Sequence, residues 1–365
     1  MTGSPRLDEV IGRIEPLDGA AAVSAAAGLD RLTKPPGSLG RLEAIAVQLA
    51  GITGRADATT RPRTIVVAAA DHGVAARNVS AYPSEVTRQM VANFLAGGAA
   101  ISVLARLIGA SLVVVDAGVA GLRPSGGREP RPAPDVRFRS LGRERGTADL
   151  SVGPAMSRAE ALDAVDTGLA LAADLAERRT ALIAVGEMGI GNTTAAAALT
   201  AVLCGARPEV VTGTGTGLDE AGRRHKVAIV ERALAVNRPD PADPLGVLAA
   251  VGGLEIAVLV GVLLGAAAAR VPVVLDGFIT GAAALVAAGL APDVAGRLIA
   301  GHRSAEPGHA VALERLGRRP LLDLELRLGE GTGAALALGL LDAAVALRDG
   351  MATFETAGVA GPDAS

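Results

Sequence analysis

Residues 181–203 read ALIAVGEMGIGNTTAAAALTAVL. The first five side chains are all apolar, without the alternation of a half-buried strand. Such a run predicts a strand covered on both faces, as in a parallel sheet flanked by helices. Gly186, Gly189 and Gly191 then make a turn, and the Ala-rich segment Thr194–Leu203 predicts a helix. Strand, glycine turn and helix form the unit of a doubly wound α/β fold.

Working outward, runs of the same kind occur at Thr64–Ala69, Leu112–Asp116, Val271–Leu275 and Leu298–Gly301. With Ala181–Val185 they predict five mainly parallel strands. Helices are predicted from Ser38 to Ala50, from Ser84 to Leu95, and from Ser157 to about Glu177. Ser157 and Glu160 have capping-box spacing at the last of these. Gly121–Gly153, rich in Pro, Gly and Arg, is expected to be one long irregular stretch, functional or mobile. The first 60 residues and the last 35 show helical pattern without strand signals. They are expected to pack together as a small helical domain, residues 1–59 with 331–365, beside a large domain over residues 60–330.

Composition narrows the function. Half of the 365 residues are apolar, enough for a large core, yet there is no Trp, one Tyr and four Phe. Ala, Val, Leu and 47 Gly do the packing, so elements are expected to approach closely. The net charge is −3, and no basic stripe suggests nucleic acid. A single cysteine, Cys204, excludes an internal disulfide framework and fits a reducing cytoplasm. The amino-terminal stretch carries charges of both signs and no signal-peptide core. Ile256–Ala269 is apolar but shorter than the roughly 20 residues a membrane span needs, so a buried helix is expected.

Three glycine-rich turns are candidates for chemistry. Gly186–Thr194 follows a strand and opens a helix, where freed backbone N–H groups and the helix N-terminus suit an anion; the alternative is a tight turn without a ligand. Thr212-Gly-Thr-Gly-Thr-Gly-Leu-Asp219 presents donors and precedes Lys226, a point charge suited to phosphate, or a solvated basic face. Leu328-Gly-Glu-Gly-Thr-Gly-Ala-Ala335 formally matches the dinucleotide pattern G-x-G-x-x-G/A. It stands near the end of the sequence, however, and Glu330 between its glycines would repel a pyrophosphate. That glutamate suits a general base beside a close ligand, or is a solvent-facing turn residue.

His72, His302 and His309 follow strand-like runs at spacings that match no zinc pattern, so hydrogen bonding is expected of them and no metal. A P-loop and a Gly-x-Ser-x-Gly elbow are both missing. Asp116 and Asp276 end strands singly, without the paired acids expected of an enzyme binding phosphoribosyl diphosphate with magnesium.

In order, several strings resemble the nicotinate-nucleotide:dimethylbenzimidazole phosphoribosyltransferase family across nearly the whole chain. They are Leu32–Glu43 (LTKPPGSLGRLE), Ala70–Val74 (ADHGV), Val79–Pro83 (VSAYP) and Asp116–Val119 (DAGV), then Gly186–Thr194 and Gly213–Leu218. Leu275–Phe278 (LDGF), His302–His309 (HRSAEPGH) and Gly329–Ala334 complete the series. The resemblance implies a Rossmann-like, doubly wound domain with a small helical domain, in a homodimer acting on small molecules without a cofactor. It implies transfer of the phosphoribosyl group of nicotinate mononucleotide to 5,6-dimethylbenzimidazole, in cobalamin assembly. Glu330 takes the position of the catalytic base, with Glu187 as a second acid. Ser80, Tyr82, Gln89 and Met188 fall where the family lines its benzimidazole pocket. Gly191, Asn192, Thr193, Gly215, Lys226 and Ser304 fall near the phosphate and ribose. Gly121–Arg145 departs from the family pattern. Two other readings remain: a nicotinamide-dinucleotide-dependent dehydrogenase, argued from Gly329–Ala334, and a non-catalytic nucleotide-binding module.

Overall fold

The structure, a computed structural model, describes residues 2–122 and 132–361. Six strands, β1 (Arg63–Ala70), β2 (Ser111–Gly118), β3 (Val136–Ser140), β4 (Leu182–Met188), β5 (Val273–Leu275) and β6 (Leu298–Ala300), form one sheet. Their order is β3-β2-β1-β4-β5-β6 and every pairing is parallel. This is the strand order of the Rossmann fold, with its topological switch between β1 and β4.

The helices follow in chain order. α1 (Pro5–Gly12), α2 (Gly19–Asp30) and α3 (Arg41–Thr53) precede the sheet; α4 (Glu85–Ala96) and α5 (Ala100–Ile108) join β1 to β2. α6 (Arg158–Glu177) leads into β4, and α7 (Asn192–Cys204) leaves it. Then come α8 (Pro208–Val211), α9 (Glu220–Asn237), α10 (Pro244–Val251) and α11 (Leu254–Ala268). α12 (Phe278–Leu290), α13 (Val294–Arg297), α14 (Pro307–Leu316), α15 (Thr332–Gly350) and α16 (Phe354–Ala357) complete the fold.

Alternate residues of each strand feed two cores, because successive side chains point to opposite faces. Val66, Ala68, Val113, Val115, Ile183 and Val185 pack with α6, α7, α11 and α12. Ile65, Val67, Val114, Ala184, Val274 and Ile299 pack with α3, α4, α5 and α15. Small residues set the spacing. A Cβ on Gly168 of α6 would come within 2.0 Å of the Val258 carbonyl oxygen of α11, so these two backbones touch. The helices of the two chain ends do meet, through α3 against α15 and a Leu32–Thr353 bridge. They share one apolar cluster with the sheet face, and α1 packs on the opposite layer against α6 and α11.

Several expectations are corrected in detail. Val136–Ser140 lies within the stretch read as irregular, yet it is an edge strand paired to β2. It reads VRFRS, alternating, because one face carries the partly exposed Arg137 and Arg139; Arg139 donates to Asp174 Oδ2 at 2.8 Å. Residues 123–131 of the same stretch lie outside the described residues. Helix α3 is capped by Gly40 rather than Ser38, and Ser84 makes no side-chain capping bond. The Ser157–Glu160 capping box is present. α11 is buried along almost its whole length. By composition residues 85–108 are apolar enough to cross a membrane, but they form two helices, α4 and α5, broken at Gly97–Ala99.

Candidate active site

A cavity of about 350 Å³ opens over the carboxyl ends of the strands, around the switch point. Rossmann sheets bind ligands there because the strand order reverses and adjacent βα turns diverge. β4 delivers Glu187 and Met188, the first turn of α7 delivers Asn192 and Thr193, and the Gly329–Gly331 turn delivers Glu330.

The Glu330 turn is held from two sides. Gly329, Glu330 and Gly331 all have left-handed backbone, with φ of 82°, 66° and 93°. For a glutamate that conformation costs roughly 1 kcal/mol, so the surroundings must fix it. Asp276, at the end of β5, does so. Its carboxylate accepts from Gly331 N at 3.1 Å, Gly333 N at 2.7 Å and Ala334 N at 3.0 Å, capping α15. Glu330 N donates to the Glu187 carbonyl at 3.2 Å, tying the turn to β4. Gly186 has no room for a side chain: a Cβ there would lie 2.2 Å from Gly331 N. The Glu330 carboxyl is thus buried yet lines the cavity. Burial raises its pKa, with the like charge of Asp276 adding to that and a bond from Ile101 N opposing it.

Glu187 is pushed further. Burial raises its pKa well above the usual carboxylate range, and the negative charges of Glu255 and Asp276 add to this. Asn192 Nδ2 donates to its Oε2 and works in the other direction. Two acids whose protonation is shifted by their surroundings thus face one cavity, the pattern expected of acid–base chemistry.

Polar donors gather next to Glu187, at the start of α7. α7 starts at Gly191 (φ 98°) with no side-chain cap; Asn192 N donates to the Gly189 carbonyl at 3.1 Å and Thr194 N to the Gly191 carbonyl at 3.0 Å. Thr193, Gly215, Thr216 and Ser304 line the wall beside it. Lys226 lies one layer behind. It is fully buried, its Nζ donates to Thr193 Oγ1 at 2.7 Å, and burial brings its pKa down to about 8 against the raising effect of Glu306. Glu306 Oε1 accepts from Gly215 N at 2.8 Å and holds the 212–218 loop.

Of the residues singled out from sequence, Tyr82, Glu187, Met188, Asn192, Thr193, Gly215, Ser304 and Glu330 all line this cavity. Gly191 and Lys226 stand behind its wall. Ser80 reaches it through Thr216, whose Oγ1 lies 3.0 Å from Ser80 Oγ and accepts from Ala81 N. Gln89 is exposed on α4 and lines no part of it; Val86 and Met90 of that helix do. Two of the three histidines make side-chain hydrogen bonds; His302 makes none among the described residues, its Nε2 lying 3.5 Å from Asp276 Oδ1, and it lines the cavity. His72 Nε2 lies 2.7 Å from Glu255 Oε1, and His309 Nδ1 accepts from Ser304 N at 2.9 Å. Among the described residues no group of three or more His, Cys, Asp or Glu is arranged to hold a metal. The Gly329–Ala334 string follows a coil rather than a strand, so it lacks the strand–turn–helix setting of a dinucleotide fingerprint.

Sequence reading assigned no role to Glu306, Thr216 or Arg327, all of which line the cavity, nor to Asp276 as the cap of α15. Glu306, Thr216 and Asp276 lie within quoted strings, so a signal existed for them. Arg327 lies in none.

This topology, with two acids of raised pKa lining a cavity at the switch point beside the start of a helix, defines an α/β enzyme acting on a small molecule. The chain belongs to the phosphoribosyltransferase family, whose model matches residues 14–359. Among its relatives is a nicotinate-nucleotide–dimethylbenzimidazole phosphoribosyltransferase of Roseiflexus sp. (strain RS-1), 56% identical over 97% of this chain and 98% of its own length. A protein of the same name from Chloroflexus aggregans is 54% identical over 97% and 98%. A crystal structure of the Thermus thermophilus phosphoribosyltransferase of that name superposes with a TM-score of 0.86 at 48% identity, covering 95% of this chain and all of that one.

Proposed function

We propose that this enzyme transfers the phosphoribosyl group of nicotinate mononucleotide to 5,6-dimethylbenzimidazole, giving α-ribazole 5′-phosphate and nicotinate for cobalamin assembly. The observation that carries the reading is Glu330, a buried acid opening into the cavity that Asn192 and Thr193, at the start of α7, also line.

The donor carries a positive pyridinium nitrogen at C1′. The bare nitrogen of the benzimidazole attacks C1′, and the C1′–pyridinium bond breaks with its electron pair passing to the departing nicotinate. Positive charge develops on the benzimidazole, and its N–H proton passes to Glu330, general-base help of about 10²–10⁴-fold. Attack opposite the leaving group inverts the β-nucleotide to the α-ribotide. Glu187 serves as the second acid beside the bound base. Tyr82 and Met188, with Ser80 behind Thr216, form the acceptor side, and Gln89, which faces away from the cavity, takes no part. Gly191, Asn192, Thr193, Gly215 and Ser304, backed by Lys226, align the phosphate and ribose, so that C1′ meets the nucleophile in one geometry.

We also place the enzyme in the cytoplasm as a homodimer. Exposed Val103 and Leu107 on α5 and Leu336 on the adjoining α15 support the dimer. The test is direct: the purified protein is incubated with both substrates and the products are separated by mass. Appearance of the α-ribotide with an equal amount of nicotinate is expected. Its absence from folded protein removes the reading.

A further inference from the structure

Away from the cavity over the strand ends, three arginines meet in a smaller cleft of about 190 Å³. Arg41 opens α3, and Arg318 and Arg319 stand on the turn that follows α14. β6 lies between them as the floor, and no residue lining this cleft lines the larger cavity. Backbone acceptors hold the arginines in place. Arg41 Nη2 donates to the Arg319 carbonyl at 3.0 Å, and Arg318 Nε donates to the Leu316 carbonyl at 3.3 Å. The carbonyls of the floor are already engaged, Leu298 by Gln48 Nε2 and Ala300 by Leu321 N.

No carboxylate lines the cleft. Elsewhere on the surface arginines gather around an acid, as Arg139 and Arg178 do around Asp174. Here they face one another. Burial lowers the pKa of Arg41 and of Arg318, and a neighbouring arginine adds to this, Arg319 acting on Arg41 and Arg41 on Arg318. Three guanidiniums are thus crowded with repulsion among them and nothing to offset it, an arrangement that an entering anion relieves.

We propose that this cleft is a binding site for a small polyvalent oxyanion of the pyrophosphate class, separate from the substrate cavity. Guanidinium forks match pairs of oxygens on such an anion. Two linked phosphoryl groups let one ligand reach both α3 and the 317–319 turn. The volume is below the roughly 300–1,000 Å³ of pockets that enclose drug-sized ligands, which leaves no room to enclose a nucleoside. A bound anion ties α3 to the segment that leaves the turn, runs beside β6 and ends at Glu330. The inference does not rest on the phosphoribosyl-transfer reading.

The test is titration calorimetry with sodium pyrophosphate at constant ionic strength, without magnesium. It compares the parent protein, Arg318→Gln/Arg319→Gln, and Arg6→Gln/Arg13→Gln, which removes the same charge from exposed positions elsewhere. Hydrogen exchange of the parent with and without pyrophosphate runs beside it. The parent and the Arg6/Arg13 variant are expected to bind alike, and the Arg318/Arg319 variant at least about tenfold more weakly, as for loss of charged hydrogen bonds. Exchange across residues 317–322 of the parent is expected to slow when pyrophosphate is added. Equal binding by all three proteins overturns the proposal, since the anion then sits elsewhere. Equal weakening in both double variants also overturns it, since net charge alone then attracts the anion. Folded parent protein that binds no pyrophosphate does the same. Should the Arg318/Arg319 variant misfold, exchange in the parent decides: no protection of residues 317–322 rejects the cleft.

Discussion

Glu330 is a glutamate in a backbone conformation that favours glycine, held there by the Asp276 cap and the Glu187 carbonyl. Its role and its protonation are therefore separable. Glu330→Gln keeps shape and size but cannot take a proton, so turnover is expected to fall at least about tenfold while nicotinate mononucleotide still binds. Unaltered turnover in the folded variant would exclude it as the base. Because burial raises the Glu330 pKa, the proposed base ionises at a higher pH than an exposed glutamate does. Turnover of the parent enzyme is expected to decline as pH falls through that raised value, in a profile that Glu330→Gln flattens. Glu187 gives a prediction in stability. A carboxyl whose folded-state pKa is raised stabilises the fold fully below its unfolded value, near the ordinary 4.5, and that contribution is lost as pH rises through the folded value. Glu187→Gln retains an acceptor for Asn192 and has no charge to bury. Its melting temperature relative to the parent is expected to be higher at pH 8 than at pH 5; a difference independent of pH would count against a buried proton at Glu187.

Among the elements, the strand–turn–helix unit of β4 and α7 was the most legible in sequence. Its apolar run could be covered only from both faces, and its glycines left no other place for the turn. β3 was hidden because an edge strand need not be apolar throughout, and the arginines of VRFRS resemble loop residues until Asp174 pairs with them. The acids of the site were legible because glycine strings framed them. The face of α4 was not: helical spacing puts Val86 and Met90 on the cavity side and leaves Gln89 outward, which requires knowing where the sheet lies. The β4 turn and the Glu330 turn are in backbone contact at Gly186, where a Cβ would also lie 2.3 Å from the Glu330 carbonyl carbon. Gly186→Ala is therefore expected to cost about 1–3 kcal/mol by overpacking and to lower turnover more than tenfold. Urea unfolding with activity assays on the still-folded fraction separates the two effects.

At the scale of the molecule, parallel strands and flanking helices were readable from the apolar runs, but their order was not. No residue pattern states that β4 pairs with β1, and that pairing is what opens the cavity where Glu187 and Asn192 stand. The proposed homodimer is checked by sedimentation equilibrium, with a mass twice that of the chain expected. Introducing Leu107→Glu on the exposed apolar face of α5 is expected to shift the protein to monomer without unfolding it, since Leu107 is largely exposed in the single chain. All six strands precede Glu330 in the chain, and Glu330 stands at the threshold of α15. The ribosome therefore releases the proposed base together with the helix whose Ala334, Leu338 and Leu341 cover one face of the sheet. A product cut short before that last long helix lacks the acid and leaves that apolar face bare.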